Sequence, residues 1–315
     1  MLKRLIVLVV LLSVSFVVEA KKAEQVKIEH VIYVTLDGVR WQDVLQSHQH
    51  FSILWQRYAD NMTVYGLSGG VAPIEVASIP VSLPSYQSQM TGAVQPCQVN
   101  ECGRVKVETM PEYLRSTLKL RKRDVAVFSS WPVIDDALES HPGAVYSNVG
   151  NIEVLDPVSG KPDAVMKKIN RLQTLHHHVK TNRLDAYTFA HALHYFQKYQ
   201  PVFMWISLVN ADNEAHMNHP KRYYQMLTAY DQYLDQLMTV LSKMKLDKNT
   251  MVVITTDHGR GDGQDWTSHG GELPASKSTW AFVLNGQLKP VTHDGKTYRY
   301  NTLSIRPTIE AALIH

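Results

Sequence analysis

Aspartate and histidine side chains lie close together in one half of the sequence, in a pattern that could bind metal. Asp212 and His216 stand four residues apart, Asp257 and His258 are adjacent, and His269 follows them. A mixture of carboxylate and imidazole groups without thiolates suits Zn²⁺, with Mn²⁺ as an alternative. We therefore expect these segments to contribute to a metal site.

A serine elsewhere in the chain could act as a nucleophile beside such a site. Ser82 precedes Leu83 and Pro84, and proline is favoured in the first turn of a helix. The hydroxyl would then lie near free backbone N–H groups, which favour anions. A serine needs a base or a metal to become a good nucleophile. Because Ser82 lacks the Gly-x-Ser-x-Gly context of lipase-like triads, a metal is the better activator.

Short continuous apolar runs predict the strands that must position these residues. The runs cover 31–36, 125–128, 202–208, 251–255 and 280–284. Continuous runs are typical of strands that are buried on both faces. Amphipathic stripes between them predict helices over 189–196, 223–244 and 305–314. This alternation predicts an α/β fold, with a doubly wound, largely parallel sheet and helices on both faces.

Three aspartates follow predicted strands and should meet at one edge of the sheet. Asp37, Asp212 and Asp257 come soon after the runs 31–36, 202–208 and 251–255. Ligands bind outside the carboxyl ends of the strands in sheets of this kind. We therefore expect the metal site at this edge.

Other polar segments are expected to be structural. Residues 141–182 are polar and weakly periodic, which predicts an irregular insertion. His176, His177 and His178 are interpreted as part of a solvated loop, since a short run lacks a fixed geometry. His191 and His194 are expected on the polar outer face of their helix rather than as a pair of ligands.

The composition excludes several classes of protein. The 315 residues contain 32 Lys+Arg and 29 Asp+Glu, so a net charge of +3 gives no electrostatic case for nucleic-acid binding. A hydrophobic fraction of 44% with 19% charged residues is globular rather than disordered. With 2 Cys, neither a disulfide-rich scaffold nor a Cys-rich zinc module can be built.

The first residues resemble a secretory signal peptide. Lys3 and Arg4 precede an apolar run from Leu5 to Val18, and Ala20 ends a compact cleavage site. We expect cleavage near Ala20 and a secreted or periplasmic protein, in which residues 21–315 form a single catalytic domain. An uncleaved anchor is the weaker alternative, because the run is short of the about 20 residues of a membrane span, and no stable span is expected elsewhere.

Export would explain the cysteines. Cys97 and Cys102 lie in one polar stretch. In an oxidising compartment such a pair most simply forms a disulfide. Metal binding by two lone cysteines is the weaker alternative.

Taken in order, the motifs resemble those of the alkaline phosphatase superfamily, with its type I phosphodiesterase/nucleotide pyrophosphatase and sulfatase-like branches nearest. They are Thr-Leu-Asp37-Gly, Ser82-Leu-Pro-Ser-Tyr, Asp212 with His216, Thr-Asp257-His258-Gly and His269-Gly-Gly. The resemblance implies two divalent metal ions, with Zn²⁺ favoured over Mn²⁺. The implied ligands are Asp37, Ser82, Asp257 and His258 at one metal, and Asp212, His216 and His269 at the other. It also implies in-line attack by Ser82 and a seryl-phosphate intermediate.

Three further residues are candidates for contacts with substrate. Phosphodiesterases of this type often have Asn where Ser85 stands, and Ser85 could donate one hydrogen bond to a phosphate oxygen. Arg260 and Arg104 could each hold a phosphate oxygen in a bidentate manner. Tyr86 stands where sulfatases need Arg to convert the nucleophile to formylglycine, so the sequence favours serine chemistry.

The sequence therefore predicts an exported metal-dependent hydrolase of small phosphate esters, with phosphodiesters or nucleotide pyrophosphates favoured. A phosphomonoesterase or a sulfatase-like hydrolase of the same fold is an alternative. A non-catalytic, metal-containing binding protein is the alternative from another class. The oligomeric state is left open by the sequence.

Overall fold

A computed structural model describes residues 27–67, 69–176, 181–293, 296–298 and 300–314. The strands are β1 His30–Leu36, β2 Met62–Tyr65, β3 Val125–Ser129, β4 Tyr146–Val149, β5 Phe203–Leu208, β6 Thr250–Thr255, β7 Ala281–Leu284, β8 Val291–His293 and β9 Lys296–Tyr298. The α-helices are α1 Ser52–Tyr58, α2 Ser82–Thr91, α3 Met110–Thr117, α4 Asp135–Leu138, α5 Ala164–Leu175, α6 Asp185–Tyr199, α7 Asn210–His216, α8 Pro220–Lys243 and α9 Ile305–Leu313. Single turns of 3-10 or π-helix join several of them.

The main sheet confirms the predicted α/β fold. Within the described ranges it has seven strands in the order β2-β7-β6-β1-β5-β3-β4, and β8 and β9 form a separate hairpin. Strand β1 pairs in parallel with β5 and β6, and β3 pairs in parallel with β5 and β4. Strand β7 runs antiparallel to both of its neighbours, β2 and β6. All five predicted apolar runs are strands, namely β1, β3, β5, β6 and β7.

The central strands are buried on both faces, as continuous apolar runs require. Every residue of β1 is buried. Ile32 and Val34 pack on one side in a core that includes α6 and α8, whereas Val31 and Tyr33 pack on the other with α2 and α9. Removing apolar surface from water stabilises such a core by about 25 cal/mol per Å². The helices therefore cover both faces of the sheet.

The interpretation of 141–182 as an irregular insertion is wrong in part, because this range contains β4 and α5. Strand β4 extends the main sheet, and α5 packs against α6. Helix α5 begins after Asp163, whose side chain accepts a hydrogen bond from the Met166 N–H. Its buried side carries Asn170 and Gln173 together with Met166, so its buried face lacks a continuous apolar stripe. Polar residues buried by hydrogen bonding conceal a helix from an analysis of periodicity.

The predicted solvent exposure of His191 is also wrong. His191 is buried, and neither of its ring nitrogens has a hydrogen-bond partner in the described part of the chain. The cause is α5, which packs against α6, while Asp163 at its start lies 2.9 Å from His194 Nε2. The unforeseen helix thus covers a face that the sequence assigned to solvent. Burial lowers the pKa of His191 to about 3.

Two expectations concern regions that the structure describes only in part. The predicted signal peptide, residues 1–20, and His177 and His178 lie outside the described residues. His176 is exposed, and its ring lies 3.0 Å from the Tyr187 hydroxyl. Among the helices of the described ranges, none combines the length and apolar character needed to span a bilayer.

Candidate active site

The carboxyl ends of three adjacent parallel strands bring the predicted aspartates together. Strands β6, β1 and β5 are neighbours in the sheet. Asp37 directly follows β1, Asp257 follows β6, and Asp212 lies in α7, which begins just after β5. All three side chains are buried. Atoms of Asp37, Asp212 and His258 lie within 4.8 Å of one another, as expected for one shared edge.

Asp37, Ser82, Asp257 and His258 form a buried group that we call the serine cluster. Ser82 is the first residue of α2. Its Oγ lies 3.1 Å from His258 Nε2 and donates to Asp37 Oδ1 at 3.5 Å. His258 Nε2 also lies 3.2 Å from Asp257 Oδ2. The hydroxyl therefore faces two of the groups that the sequence assigned to one metal.

Asp212, His216 and His269 form a more open group, which we call the histidine cluster. His216 Nε2 lies 3.3 Å from Asp212 Oδ2, one helical turn away in α7, and 3.1 Å from His269 Nε2. His216 is exposed and His269 is partly buried. The histidine cluster is thus the solvent-facing side of the site, and the serine cluster is its buried side.

Backbone carbonyls fix the orientation of two histidine rings. The Nδ1 atoms of His258 and His269 lie 2.9 Å from the Gly259 carbonyl oxygen and 2.8 Å from the Pro80 carbonyl oxygen. A carbonyl only accepts, so Nδ1 must carry the proton in each ring. In the neutral ring, Nε2 then presents a bare lone pair to its cluster. Metal-binding histidines are oriented in this way.

The buried charges of the site need compensation. Burial, with Asp212 nearby, raises the pKa of Asp257 to about 7. Burial and the charge of Asp257 also raise the pKa of Asp37 well above its ordinary value. Burial lowers the pKa of His258 well below its ordinary value. Burial opposes ionisation of Asp212, but the Arg260 guanidinium holds the pKa of Asp212 below its ordinary value. Placing several carboxylates in this space is unfavourable without cations.

The residues present fit divalent metal ions. Asp257 Oδ2 is buried and has no hydrogen-bond partner within the described residues. Leaving such an acceptor unpaired costs about 1–3 kcal/mol, and a bound cation would satisfy it. The donors are carboxylate oxygens, imidazole nitrogens and a hydroxyl, the set that suits Zn²⁺ or Mn²⁺. The site therefore contains candidate metal-binding residues of the type that the sequence predicted.

Ser85 does not point toward the space beside Ser82. Its side chain is fully buried in α2 and donates to the Asp257 carbonyl oxygen at 2.7 Å. Gln89 Nε2 donates to the same hydroxyl at 3.1 Å. The predicted contact between Ser85 and substrate does not fit this environment. The hydroxyl instead ties α2 to the segment that carries Asp257.

Neither arginine predicted to bind substrate is available for that role. Arg104 donates to the carbonyl oxygens of Asp135 and Glu139 at 2.7 and 2.8 Å, and forms an ion pair with Asp135. Arg260 is buried and forms an ion pair with Asp212. Both predictions are corrected for the same reason, since protein partners already occupy these guanidinium groups.

Two residues beside the site were missed. The Tyr86 hydroxyl donates to Asp37 Oδ2 at 3.1 Å. Its spacing of one helical turn from Ser82 could have indicated this position. Asn100 Oδ1 accepts a hydrogen bond of 2.9 Å from the N–H of Leu83. No local pattern links Asn100 to Ser82, because a separate loop carries it.

That loop is closed by the predicted disulfide. Cys97 and Cys102 are bonded, and their Cα atoms lie 5.6 Å apart. Asn100 lies between them, so the bond restricts the loop whose Asn100 side chain contacts the start of α2.

Comparison of the sequence with protein families places the chain in one of them. The type I phosphodiesterase/nucleotide pyrophosphatase family matches residues 31–280. The chain therefore belongs to this family, within the alkaline phosphatase superfamily, and is a hydrolase that acts on ester bonds. The family is metal-dependent, and a small-molecule ester substrate fits it. None of the curated proteins compared with the sequence matches it.

Solved structures of low sequence identity share the fold. The lipoteichoic acid synthase LtaP from Listeria monocytogenes is 11% identical, with a TM-score of 0.58 over 91% of this chain and 72% of LtaP. The 2-O GAG sulfatase BT1596 is 13% identical, with a TM-score of 0.59 over 91% of this chain and 71% of its own. The phosphonate monoester hydrolase SpPMH from Silicibacter pomeroyi is 10% identical, with a TM-score of 0.54 over 90% and 73%.

Proposed function

We propose that this protein hydrolyses phosphodiesters or nucleotide pyrophosphates with Ser82 as the nucleophile. The observation that carries the proposal is the position of Ser82 Oγ, 3.1 Å from His258 Nε2 and 3.5 Å from Asp37 Oδ1. In this proposal the serine cluster and the histidine cluster each hold one divalent ion, with Zn²⁺ favoured over Mn²⁺. Bound ions would lower the pKa of the Ser82 hydroxyl and neutralise charge on the phosphoryl group.

The chemistry of Ser82 follows from its place at the start of α2. Its oxygen attacks phosphorus in line, so that the Ser82–phosphorus bond forms while the bond to the leaving oxygen breaks. The hydroxyl proton of Ser82 passes to water, and the leaving oxygen takes a proton from water. A water molecule then attacks the seryl-phosphate as the Ser82–phosphorus bond breaks, and one proton of that water goes to the Ser82 oxygen. His258 is a poor general base for the first step, because burial lowers the pKa of its imidazole well below the ordinary value.

Asn100 is our candidate for a substrate contact in place of Ser85. Its Oδ1 already accepts the Leu83 N–H, so the orientation of the carboxamide is fixed. The remaining Nδ2 group can donate to an oxygen of a phosphoryl group on Ser82. Such a donor is most useful where charge develops in the transition state.

The positions of the arginines support a diester over a monoester. A monoester carries one more negative charge on phosphate than a diester, and guanidinium groups commonly hold such oxygens. Arg104 and Arg260 both bind elsewhere in the protein. Formylglycine formation requires an arginine at position 86, but this chain has Tyr86 there, and its hydroxyl binds Asp37. Serine chemistry on a singly charged diester is therefore favoured over phosphomonoesterase or sulfatase activity.

Export completes the proposal. The signal-like residues 1–20 would be removed near Ala20, leaving residues 21–315 as one catalytic domain in the periplasm or outside the cell. The bond between Cys97 and Cys102 supports an oxidising compartment, because disulfides are rare in the cytosol.

A panel of substrates tests the proposed activity. Protein loaded with Zn²⁺ or Mn²⁺ is assayed with bis-p-nitrophenyl phosphate, p-nitrophenyl phosphate, a dinucleotide pyrophosphate and an aryl sulfate, with chelator-treated protein as the control. We expect the diester or the pyrophosphate to give the highest kcat/KM, and chelation to abolish it. A highest kcat/KM for the aryl sulfate or the monoester would contradict the proposed substrate class. Inactivity on all of them would favour a binding protein.

A further inference from the structure

One buried guanidinium joins the loops that carry both clusters. Arg260 Nε donates to the Gly38 carbonyl oxygen at 3.0 Å, and Nη1 donates to the Thr267 carbonyl oxygen at 2.9 Å. Nη2 donates to the Asp212 carbonyl oxygen at 3.2 Å. The side chain has no exposed surface. These bonds use all three nitrogens of Arg260 on partners within the protein.

Each partner lies beside a residue of one of the clusters. Gly38 follows Asp37, and Thr267 lies two residues before His269. Arg260 itself lies two residues after His258. A single side chain thus links the segments after β1 and β6 with helix α7 and the loop that bears His269. The rigid fork of a guanidinium suits such a role, because its donors have a fixed relative geometry.

The two oxygens of the Asp212 carboxylate have different partners. Oδ1 forms the ion pair with Arg260 Nη2. Oδ2 lies 3.3 Å from His216 Nε2, on the side of the histidine cluster. With Oδ1 held by Arg260, the carboxylate can present one oxygen to a metal there, and its rotation is restricted.

Gly38 shows independently that the structure makes room for this ion pair. A Cβ atom at Gly38 would lie 2.5 Å from Asp212 Oδ1 and 2.8 Å from Arg260 Nη2. The backbone at Gly38 also has a φ of +61°, a conformation that favours glycine. A residue with a side chain at position 38 would therefore displace either the carboxylate or the guanidinium.

We propose that Arg260 is a positioning residue that holds Asp212 for metal binding by the histidine cluster. This inference rests on the metal use in the proposed function. It replaces the sequence-based expectation that Arg260 contacts substrate. Loss of Arg260 should weaken the histidine cluster more than the serine cluster, because within the described residues its bond to a predicted ligand side chain is the one to Asp212. Losing a group that orients a ligand typically costs about 10–100-fold in metal affinity.

Metal affinity in two backgrounds tests this assignment without an activity assay. Asp257→Asn weakens the serine cluster, so that Zn²⁺ bound by that protein reports on the histidine cluster. His216→Ala does the reverse. Arg260→Met is added to each background, and the Zn²⁺ affinity is measured by competition with a chromogenic chelator. Arg104→Met is the matched control, because it removes a partly buried, ion-paired arginine away from both clusters.

We expect Arg260→Met to lower affinity about 10–100-fold in the Asp257→Asn background and much less in the His216→Ala background. Arg104→Met should change neither. Arg260→Lys should recover part of the affinity, and it replaces Arg260→Met if that variant does not fold. Equal losses of Zn²⁺ affinity in both backgrounds, or no loss in either, would overturn the role of Arg260 but leave the proposed function intact. A wild-type protein that binds no divalent metal would overturn the proposed function as well, so the two failures can be told apart.

Discussion

The Nε2 atoms of His216 and His269 lie 3.1 Å apart. The Pro80 carbonyl oxygen accepts a hydrogen bond from Nδ1 of His269. Nε2 of the neutral ring therefore has no proton and carries a lone pair. Burial also lowers the pKa of His269, which disfavours a second proton. At this distance His216 Nε2 must carry a proton, or a cation must lie between the two nitrogens. Asp212 Oδ2 beside His216 completes a set of three donors for a cation.

Metal removal should therefore destabilise the protein. We expect purified protein to bind about two divalent ions per chain. Chelation should lower the unfolding temperature, and Zn²⁺ should restore it, because a ligand at 100 times its Kd stabilises the folded state by about 2.7 kcal/mol. Metal analysis together with thermal unfolding checks this. Two results together would contradict the proposed metal sites. Metal analysis would find no bound ion in the purified protein, and its unfolding temperature would respond neither to chelator nor to added Zn²⁺.

Tyr86→Phe should weaken the serine cluster without loss of the fold. The variant removes the hydrogen bond to Asp37 but keeps the ring, which packs against Trp205 with centroids 5.5 Å apart. We expect a loss of about 10–100-fold in metal affinity or in kcat/KM. Tyr58→Phe is the matched control, since it removes a hydrogen bond to Asp235 far from the site. Similar small effects of both variants would show that Tyr86 does not orient Asp37.

Substitutions of Asn100 separate its two polar atoms. Asn100→Asp keeps an acceptor for the Leu83 N–H but removes the Nδ2 donor and adds negative charge near the substrate. We expect kcat to fall by about 100-fold or more, the scale of losing one donor to a developing charge. Asn100→Ala should lose a comparable amount through loss of both atoms. Steady-state kinetics checks this, with Val99→Ala, at an exposed position of the same loop, as the control. Wild-type kcat in Asn100→Asp would exclude the contact with substrate.

His191 should make stability depend on pH. Its folded-state pKa is about 3, whereas an unfolded histidine has a pKa of about 6.5. Between these values the unfolded state binds the extra proton, so the free energy of unfolding falls by up to about 1.4 kcal/mol per pH unit as the pH decreases. His191→Leu should remove this contribution. Urea unfolding between about pH 7 and pH 4 should show the variant gaining stability relative to wild type as the pH falls. Parallel stability curves would refute this contribution.

The sequence predicted the shared edge of the sheet well. Asp37, Asp212 and Asp257 follow three parallel strands, and parallel strands end at one edge whatever their order in the sheet. The spacing of Asp212 and His216 also predicted a common helical face correctly. These features depend on local pattern and on a general property of α/β sheets.

Features that depend on tertiary partners were not predictable. The sequence around Arg260 does not show that Gly38 and Asp212 will surround its guanidinium. Ser85 lies three residues after Ser82, but the rotation of α2 turns it toward the Asp257 carbonyl group. The burial of His191 depends on α5. The buried face of α5 is partly polar, so its sequence lacks the apolar stripe that predicts a helix.

The hydrolysis rate of Ser82→Ala at matched metal content tests the central claim most directly. Wild type and variant, each loaded with the same number of Zn²⁺ ions, are assayed with bis-p-nitrophenyl phosphate, and Ser88→Ala in the same helix is the control. The account predicts that Ser82→Ala loses roughly a thousandfold or more in kcat, because the covalent route is removed, while Ser88→Ala stays active. Turnover by Ser82→Ala at the wild-type rate would contradict it.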